Sequence, residues 1–266
     1  MQFQILDRLS FQRFLGLNLA DPVPDQNTVR EYREALQKAQ GFEALFQAFR
    51  SHLAAQGPLP REGVIVDASF VEVPRQRNTR AENDLIKTGQ IPKDWSPKKR
   101  AHKDVDARWA KKSAQTFFGY KNHIKVNIPT KLIDTAAVTA ASVHDSQAVD
   151  ALVQAGDEAV FGDSAYTGQA VRAQMEAKGV DTVLVQKGVR GRALNEAEKA
   201  ENREISSTRA RVEHPFAVMS GQAGRIFQRY VGWARNAAAI QMLNLCCNLK
   251  RYETILRLKL HPLAAA

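Results

Sequence analysis

Cysteine is almost missing from this chain: of 266 residues, only Cys246 and Cys247 carry thiols. Adjacent cysteines in a helical-looking stretch are poorly placed to bridge each other, and two thiols are too few for a structural zinc site. A disulfide scaffold is therefore not expected, and a reducing, cytoplasmic compartment is. Long apolar runs are missing as well. No stretch approaches the ~18 residues that span a bilayer, and Met1-Gln2-Phe3-Gln4 has neither the basic start nor the apolar run of a signal peptide. No membrane role is expected. Internal repeats and low-complexity tracts are absent. Acid is in the minority, with 28 Asp and Glu against 38 Lys and Arg, giving a net charge of +10 and a pI near 9.7. Such a surface suits a polyanionic partner, nucleic acid or anionic lipid, without specifying a fold.

What remains is ample for a folded domain, since 44% of the residues are hydrophobic. Residues 1–56 read as a small helical N-terminal region. Ile5, Leu6, Leu9, Phe11, Phe14 and Leu15 share a helical face, and Asp21-Pro22-Val23-Pro24-Asp25 interrupts it. A second helix is expected to be capped by Asn27 or Thr28, and a third to cover Phe42 to Leu53. Gly57-Pro58-Leu59-Pro60 marks a boundary, and residues 57–266 form the second domain. Gly63 to Val73, rich in β-branched residues, reads as a strand. Residues 75–112 then hold twelve Lys or Arg against five Asp or Glu and few apolar residues. They read as a loop-rich basic insertion anchored by Trp95 and Trp109.

Alternation returns at Lys121 to Ile128. Lys121, His123, Lys125 and Asn127 fall on one face of a strand, and Ile124, Val126 and Ile128 on the other, one for a partner and one for the core. Strands are expected at 132–141, 158–162 and 180–185, helices at 146–154 and 168–177, and long helices at roughly 196–221 and 234–258. This order predicts an α/β fold with a mixed five-stranded sheet flanked by helices. Asp145 or Ser146 should cap the helix after His144, Ala237, Ala238 and Ile240 should pack on the sheet, and Ser206-Ser207 lacks the partners of a nucleophile.

Three acidic residues stand out. Asp67 lies inside the apolar strand Val64-Ile65-Val66, Asp163 ends Ala159-Val160-Phe161-Gly162, and Glu213 follows the helical run Thr208-Arg209-Ala210-Arg211-Val212. A carboxylate in a buried strand is costly unless a cation or hydrogen bonds compensate. If the first and fourth strands are neighbours, Asp67 and Asp163 meet, and a helix packed beside them brings Glu213. Three such carboxylates suit two Mg²⁺ ions. The ordinary alternative is that each is a surface carboxylate. For Glu213 that alternative is the stronger one, because Arg209 four residues earlier offers an exposed ion pair worth ~0.5 kcal/mol.

Taken together, Asp67 after Val-Ile-Val, the run Gly162-Asp163-Ser164-Ala165-Tyr166-Thr167-Gly168, and Arg209-Ala210-Arg211-Val212-Glu213-His214-Pro215-Phe216 resemble the DDE transposases of bacterial insertion sequences, specifically the insertion-sequence-5 branch. The likeness extends to Phe118-Gly119-Tyr120-Lys121-Asn122-His123-Ile124-Lys125, Val143-His144-Asp145-Ser146 and Arg229-Tyr230-Val231-Gly232-Trp233-Ala234-Arg235-Asn236. It implies a ribonuclease-H-like catalytic domain with Asp67, Asp163 and Glu213 as catalytic and metal-binding residues, two Mg²⁺ ions with Mn²⁺ as a substitute, and cutting of double-stranded DNA at terminal inverted repeats followed by joining of 3′ ends to target DNA. A homo-oligomer is expected on the DNA. Relatives place Tyr seven before, Arg four before and Lys seven after the glutamate; here those positions hold Ser206, Arg209 and Ser220. The segment Leu6 to Leu17 resembles one that in relatives follows a further helical portion, so residues 1–56 are expected to be a shortened DNA-end-binding or dimerising part. Lys121, His123, Lys125, Arg209, Arg211, Lys98, Lys99, Arg100 and Arg235 are the expected DNA contacts. Two alternatives stay open: a ribonuclease-H-like nuclease without strand transfer, and an inactive DNA-binding remnant.

Overall fold

The structure, a computed structural model, describes residues 1–57, 59, 63–186, 188 and 192–260, so the expected boundary at 57–60 lies partly outside the described residues. The chain forms two compact units, Met1–Ala44 and Leu45–Ala266. In the first, the expected helical face over 5–15 is split into α1 (Gln2–Asp7) and α2 (Leu9–Leu15), because Arg8 between them is extended. Next comes α3 (Gln26–Lys38), capped not by Asn27 or Thr28 but by Asp25, whose carboxylate accepts the Thr28 N–H at 2.7 Å. α4 (Gly41–Ala55) starts at the end of this unit, and its residues from Leu45 onward belong to the second.

The second unit is built on one mixed sheet: β1 (Val64–Glu72), β2 (Arg108–Lys112), β3 (Gln115–Asn127), β4 (Ile133–Ala140), β5 (Ala159–Gly162), β6 (Asp181–Leu184) and β7 (Ile226–Phe227). β1 runs antiparallel to β3 from Val64↔Asn127 to Glu72↔Gly119, and β3 runs antiparallel to β4. On its other side β1 is parallel to β5, and β5 to β6. Three antiparallel strands continued by a parallel pair give the ribonuclease-H-like arrangement. All five expected strands are present, but the sheet has seven. β2 forms a hairpin with the first half of β3, and the two-residue β7 pairs with the end of β1. The sequence Arg108-Trp109-Ala110-Lys111-Lys112 hid its strand because its charges stay largely exposed and leave no apolar period to read.

Helices cover both faces. Against one, Ile65, Val71, Tyr120, Ile124 and Val126 pack with Val212, Met219, Ile240 and Leu245, from the region of α9 (Glu196–Arg209), α10 (Glu213–Ser220) and α11 (Trp233–Leu258). Against the other, Val64, Val66 and Val160 pack with Val149 and Leu152 of α7 (Val149–Leu152), Val171 and Met175 of α8 (Gln169–Ala177), and Tyr166. α11 is also held by amides. Asn122 and Asn244 exchange hydrogen bonds at 2.7 and 3.1 Å, and Asn248 binds both the N–H and the C=O of Ile133. Buried amides paired in this way avoid the cost of burial while fixing the register of the helix on the sheet.

The basic insertion is not the loose loop its composition suggested. α5 (Arg80–Lys87) starts with a reciprocal cap between Thr79 and Glu82. Glu82 also accepts the buried Trp95 indole N–H at 2.7 Å and the Lys99 ammonium at 2.6 Å, near α6 (Pro97–Ala101). The Lys99 bond, the Thr79 N–H and the Trp95 N–H together hold the Glu82 carboxyl down at about 2. Polar clasps here do the work that apolar contacts do elsewhere. Trp109 is 45% exposed, with Arg75 over its ring and Phe118 beside it. Buried Asp104 ties the insertion to the sheet and to α11, accepting from Tyr120 Oη, the Ala107 N–H and the Gly232 N–H.

Candidate active site

Asp67 sits mid-strand on β1 because Val64, Ile65 and Val66 are buried on both faces and lock the register. The β1–β5 ladder pairs Val64 with Val160 and Ile65 with Phe161, and two further steps bring Asp67 beside Asp163. The adjacency expected from the order of strands is thus met. Asp163 directly follows β5 and caps a short turn, its Oδ1 accepting the Ala165 N–H at 2.8 Å. Asp67 Oδ1 accepts the Ala68 N–H at 2.8 Å, while Oδ2 faces the Arg209 guanidinium at 3.7 Å. Burial pushes the Asp67 carboxyl up, the Ala68 N–H and Arg209 oppose this, and the neighbouring Asp163 adds to it. The pair is therefore short of positive charge.

Two buried polar atoms in this region are also unpaired. Among the described residues Arg209 Nε and Tyr166 Oη have no hydrogen-bond partner, and Tyr166 lies within the electrostatic reach of Asp145 and then of Asp67 and Asp163. An unsatisfied guanidinium donor next to an under-compensated acidic pair suits a site that takes up both a cation and an anion. The residues therefore fit a divalent ion at Asp67 and Asp163.

Glu213 is not in this cluster. It is exposed at the start of α10, and among the described residues no group of three or more His, Cys, Asp or Glu stands close enough to hold a metal ion. The reason is local. A 3₁₀ turn over Ala210–Val212 separates α9 from α10. An α-helix turns ~100° per residue and a 3₁₀ helix ~120°, so three residues of tight turn carry Glu213 roughly 60° further round from Arg209 than a regular helix would. Arg209 consequently faces Asp67 rather than forming the surface pair with Glu213.

The other expected DNA contacts divide. Ladder partners share a face, and Lys121, His123 and Lys125 pair with Phe70, Ala68 and Val66, whereas Asp67 pairs with Ile124. The three basic residues are thus on the opposite face from Asp67, and that face is covered rather than offered to a partner. Lys125 is 0% exposed and holds Asp134 at 2.7 Å and Asp157 at 2.9 Å. His123, also buried, bonds Thr139 Oγ1 at 2.8 Å. Lys121 binds Asp145 at 2.8 Å and the Val143 carbonyl, and it lies over the Phe70 ring. Asp145 is accordingly an ion-pair partner, while the cap expected from Asp145 or Ser146 comes from His144, which accepts the Ser146 N–H. Lys98, Arg100, Arg211 and Arg235 are exposed, whereas Lys99 is held by Glu82. Ser220, where relatives carry Lys, turns its hydroxyl back onto the Phe216 carbonyl at 2.7 Å. Lys112, which acts on Asp67 from β2, and Tyr166 were not singled out from sequence. Tyr166 was legible only as a neighbour of Asp163 in the run 162–168.

A ribonuclease-H-like sheet with two carboxylates side by side on its central parallel strands defines the class of this domain. A family model described as Transposase DDE domain matches residues 58–249, which is most of the chain. The chain belongs to that family. Among the described residues, no helix is long and apolar enough to cross a membrane.

Proposed function

We propose that this chain is the transposase of an insertion sequence of the insertion-sequence-5 branch. It cuts double-stranded DNA at the element's terminal inverted repeats and joins the freed 3′ ends to target DNA. The observation that carries this reading is the Asp67–Asp163 pair, short of positive charge, inside the span that matches the transposase DDE domain. Asp67 and Asp163 would hold divalent ions, Mg²⁺ or in its place Mn²⁺. When bound, two such ions supply activation of the attacking oxygen and stabilisation of the leaving one.

The chain's own groups do the rest. Arg209, 3.7 Å from Asp67 with a buried Nε that has no partner among the described residues, donates to a phosphate oxygen of the strand being cut. Water attacks first and the liberated 3′ hydroxyl second, each by in-line displacement at phosphorus, with no covalent protein intermediate. Glu213 is the third carboxylate of the proposal. If residues 210–212 wound into regular helix, Glu213 would return to the side of Arg209, since residues four apart share a helical face. Exposed Lys98, Arg100, Arg211 and Arg235 would grip the duplex, and a homo-oligomer would pair two ends. In support, Arg80, Lys87, Arg108 and Trp109 line a cavity of about 720 Å³ on the insertion.

The test is cleavage and strand transfer on duplexes carrying the inverted repeats that flank the gene, with Mg²⁺ or Mn²⁺. Metal-dependent nicking followed by joining is expected, and both are expected to vanish in Asp163→Ala. Full activity in that variant would refute the assignment. Nicking without joining would identify a nuclease, and binding without either a remnant.

A further inference from the structure

The turn that joins β3 to β4 gathers cations that stand apart from the acidic pair. It is a fixed turn. Asn127 and Thr130 are buried, the Asn127 side-chain oxygen accepts both the N–H and the hydroxyl of Thr130 at 3.1 and 2.8 Å, and the Asn127 carbonyl accepts the Lys131 N–H at 2.9 Å. Lys131 closes it at φ 59°, in the left-handed region where glycine or asparagine is the ordinary choice. A lysine kept there points to use of its side chain. Two arginines are tied to the same turn: Arg211 Nη1 donates to the Ile128 carbonyl at 3.3 Å, and Arg251 Nε to the Thr130 carbonyl at 2.7 Å. They arrive together because α10 and α11 run side by side, Cys247 Sγ donating to the Pro215 carbonyl at 3.9 Å one helical turn before Arg251. His214 has a buried Nδ1 without a partner among the described residues, and its pKa is lowered by burial first and then by Arg251, Lys131 and Lys250. Lys250, next to Arg251 in α11, thus joins the group. No carboxylate among the described residues pairs with Lys131, Arg211, Lys250 or Arg251, whereas Lys99, Lys125, Lys199 and Arg257 each hold one.

We infer that Lys131, Arg211, Lys250 and Arg251 form a separate contact for double-stranded DNA, one that grips backbone phosphates of the duplex away from the bond being cut. This rests on the reading of the chain as a transposase. Cations without a counter-charge, set on a rigid turn, suit phosphate oxygens, and they position a duplex without reading its sequence. On β3, Ile128 lies four residues beyond Ile124, the ladder partner of Asp67, or roughly 13 Å along the strand. That is about four base-pair steps, so a single duplex is long enough to reach both.

The experiment is binding of the full chain to a fluorescent duplex across a salt series, comparing the parent, Lys131→Gly, Lys131→Gly combined with Lys250→Ala, and Lys199→Ala as a control that removes one charge elsewhere. Glycine suits the left-handed turn at 131, so the melting temperature is expected to hold. The slope of log affinity against log salt is expected to fall by about one in Lys131→Gly and by about two in the double variant. It is expected to stay at the parent's value in Lys199→Ala and in Lys131→Arg. A merely structural role for these side chains would leave the slope where it is. The parent's slope in both variants of the turn, or an equal fall in Lys199→Ala, would overturn the inference. If the slopes fall as expected while the parent shows no metal-dependent nicking, the DNA contact stands and it is the reading of the acidic pair that fails. Should the double variant not fold, Lys131→Gly alone decides.

Discussion

Lys125→Met is the sharpest test of the interior. The ammonium of Lys125 is fully buried and is shared by Asp134 and Asp157, which have side-chain exposures of only 12% and 7%. Arg50 of α4 completes the cluster, bonding Asp134 at 2.7 Å. Burial alone would drive the Asp134 carboxyl up, yet Lys125 and Arg50 together hold it below its usual value. Methionine keeps the volume of the stem and deletes the charge, leaving two carboxylates in the interior with one cation between them. Breaking a buried pair from one side costs about 3–5 kcal/mol. In a unit of this size that corresponds to a fall in melting temperature of roughly 6–20 °C. Adding Asp157→Asn is expected to recover part of the loss. Calorimetry of the single and double variants measures both. DNA affinity and its salt slope, from fluorescence anisotropy across a salt series, are expected to stay at the parent's values, because a buried lysine releases no counterions on binding. A melting point within a degree or two of the parent, or a salt slope reduced by about one, would refute this account and return Lys125 to the DNA interface.

Acid should unfold the chain partly through His123. Burial lowers its pKa to about 4, against an ordinary value of 6.5. Between those values the unfolded chain binds the extra proton, so the contribution is intact above pH 6.5 and is lost as pH falls through about 4. At ~1.4 kcal/mol per unit it is worth up to about 3 kcal/mol; urea midpoints from pH 7 to 4 should show that slope, flattened in His123→Asn. Asp67→Asn should raise the melting temperature at neutral pH, since a carboxyl pushed up by burial destabilises the fold once it ionises above its ordinary range. Mg²⁺ should stabilise the parent and not that variant, as thermal denaturation with and without the ion would show. Gly119 has φ 148°, and a Cβ there would lie 2.2 Å from the Val71 carbonyl oxygen. Gly119→Ala should therefore cost about 3 kcal/mol or more, and a denaturation midpoint equal to the parent's would count against the β1–β3 pairing described.

The acidic pair was legible because a carboxylate inside Val-Ile-Val and another ending Val-Phe-Gly are local anomalies, and anomalies need no tertiary information. The five main strands were legible for the same reason, since period-two patterning and β-branched residues act within a few positions. The faces of β3 were not. Alternation of Lys121, His123 and Lys125 reports that they share a side, but whether that side meets water, DNA or Asp134, Asp145 and Asp157 depends on segments distant in sequence. The insertion misled by composition: Glu82 takes up Trp95 and Lys99 through side-chain bonds that no hydrophobic period announces. Caps missed by a residue or two, at Asp25 and His144, reflect several adjacent polar residues able to accept the same N–H.

By itself, then, the sequence determined the class of sheet, the basic surface and the two aspartates that meet on it, because those follow from patterns a few residues long. Tertiary structure alone decided that Lys125 and His123 belong to the interior, that Arg209 meets Asp67, and that Glu213 stands apart from the acidic pair. Each of these depends on a single turn or register step, such as the 3₁₀ turn at Ala210–Val212, whose energy is small and whose effect on the direction of a side chain is large.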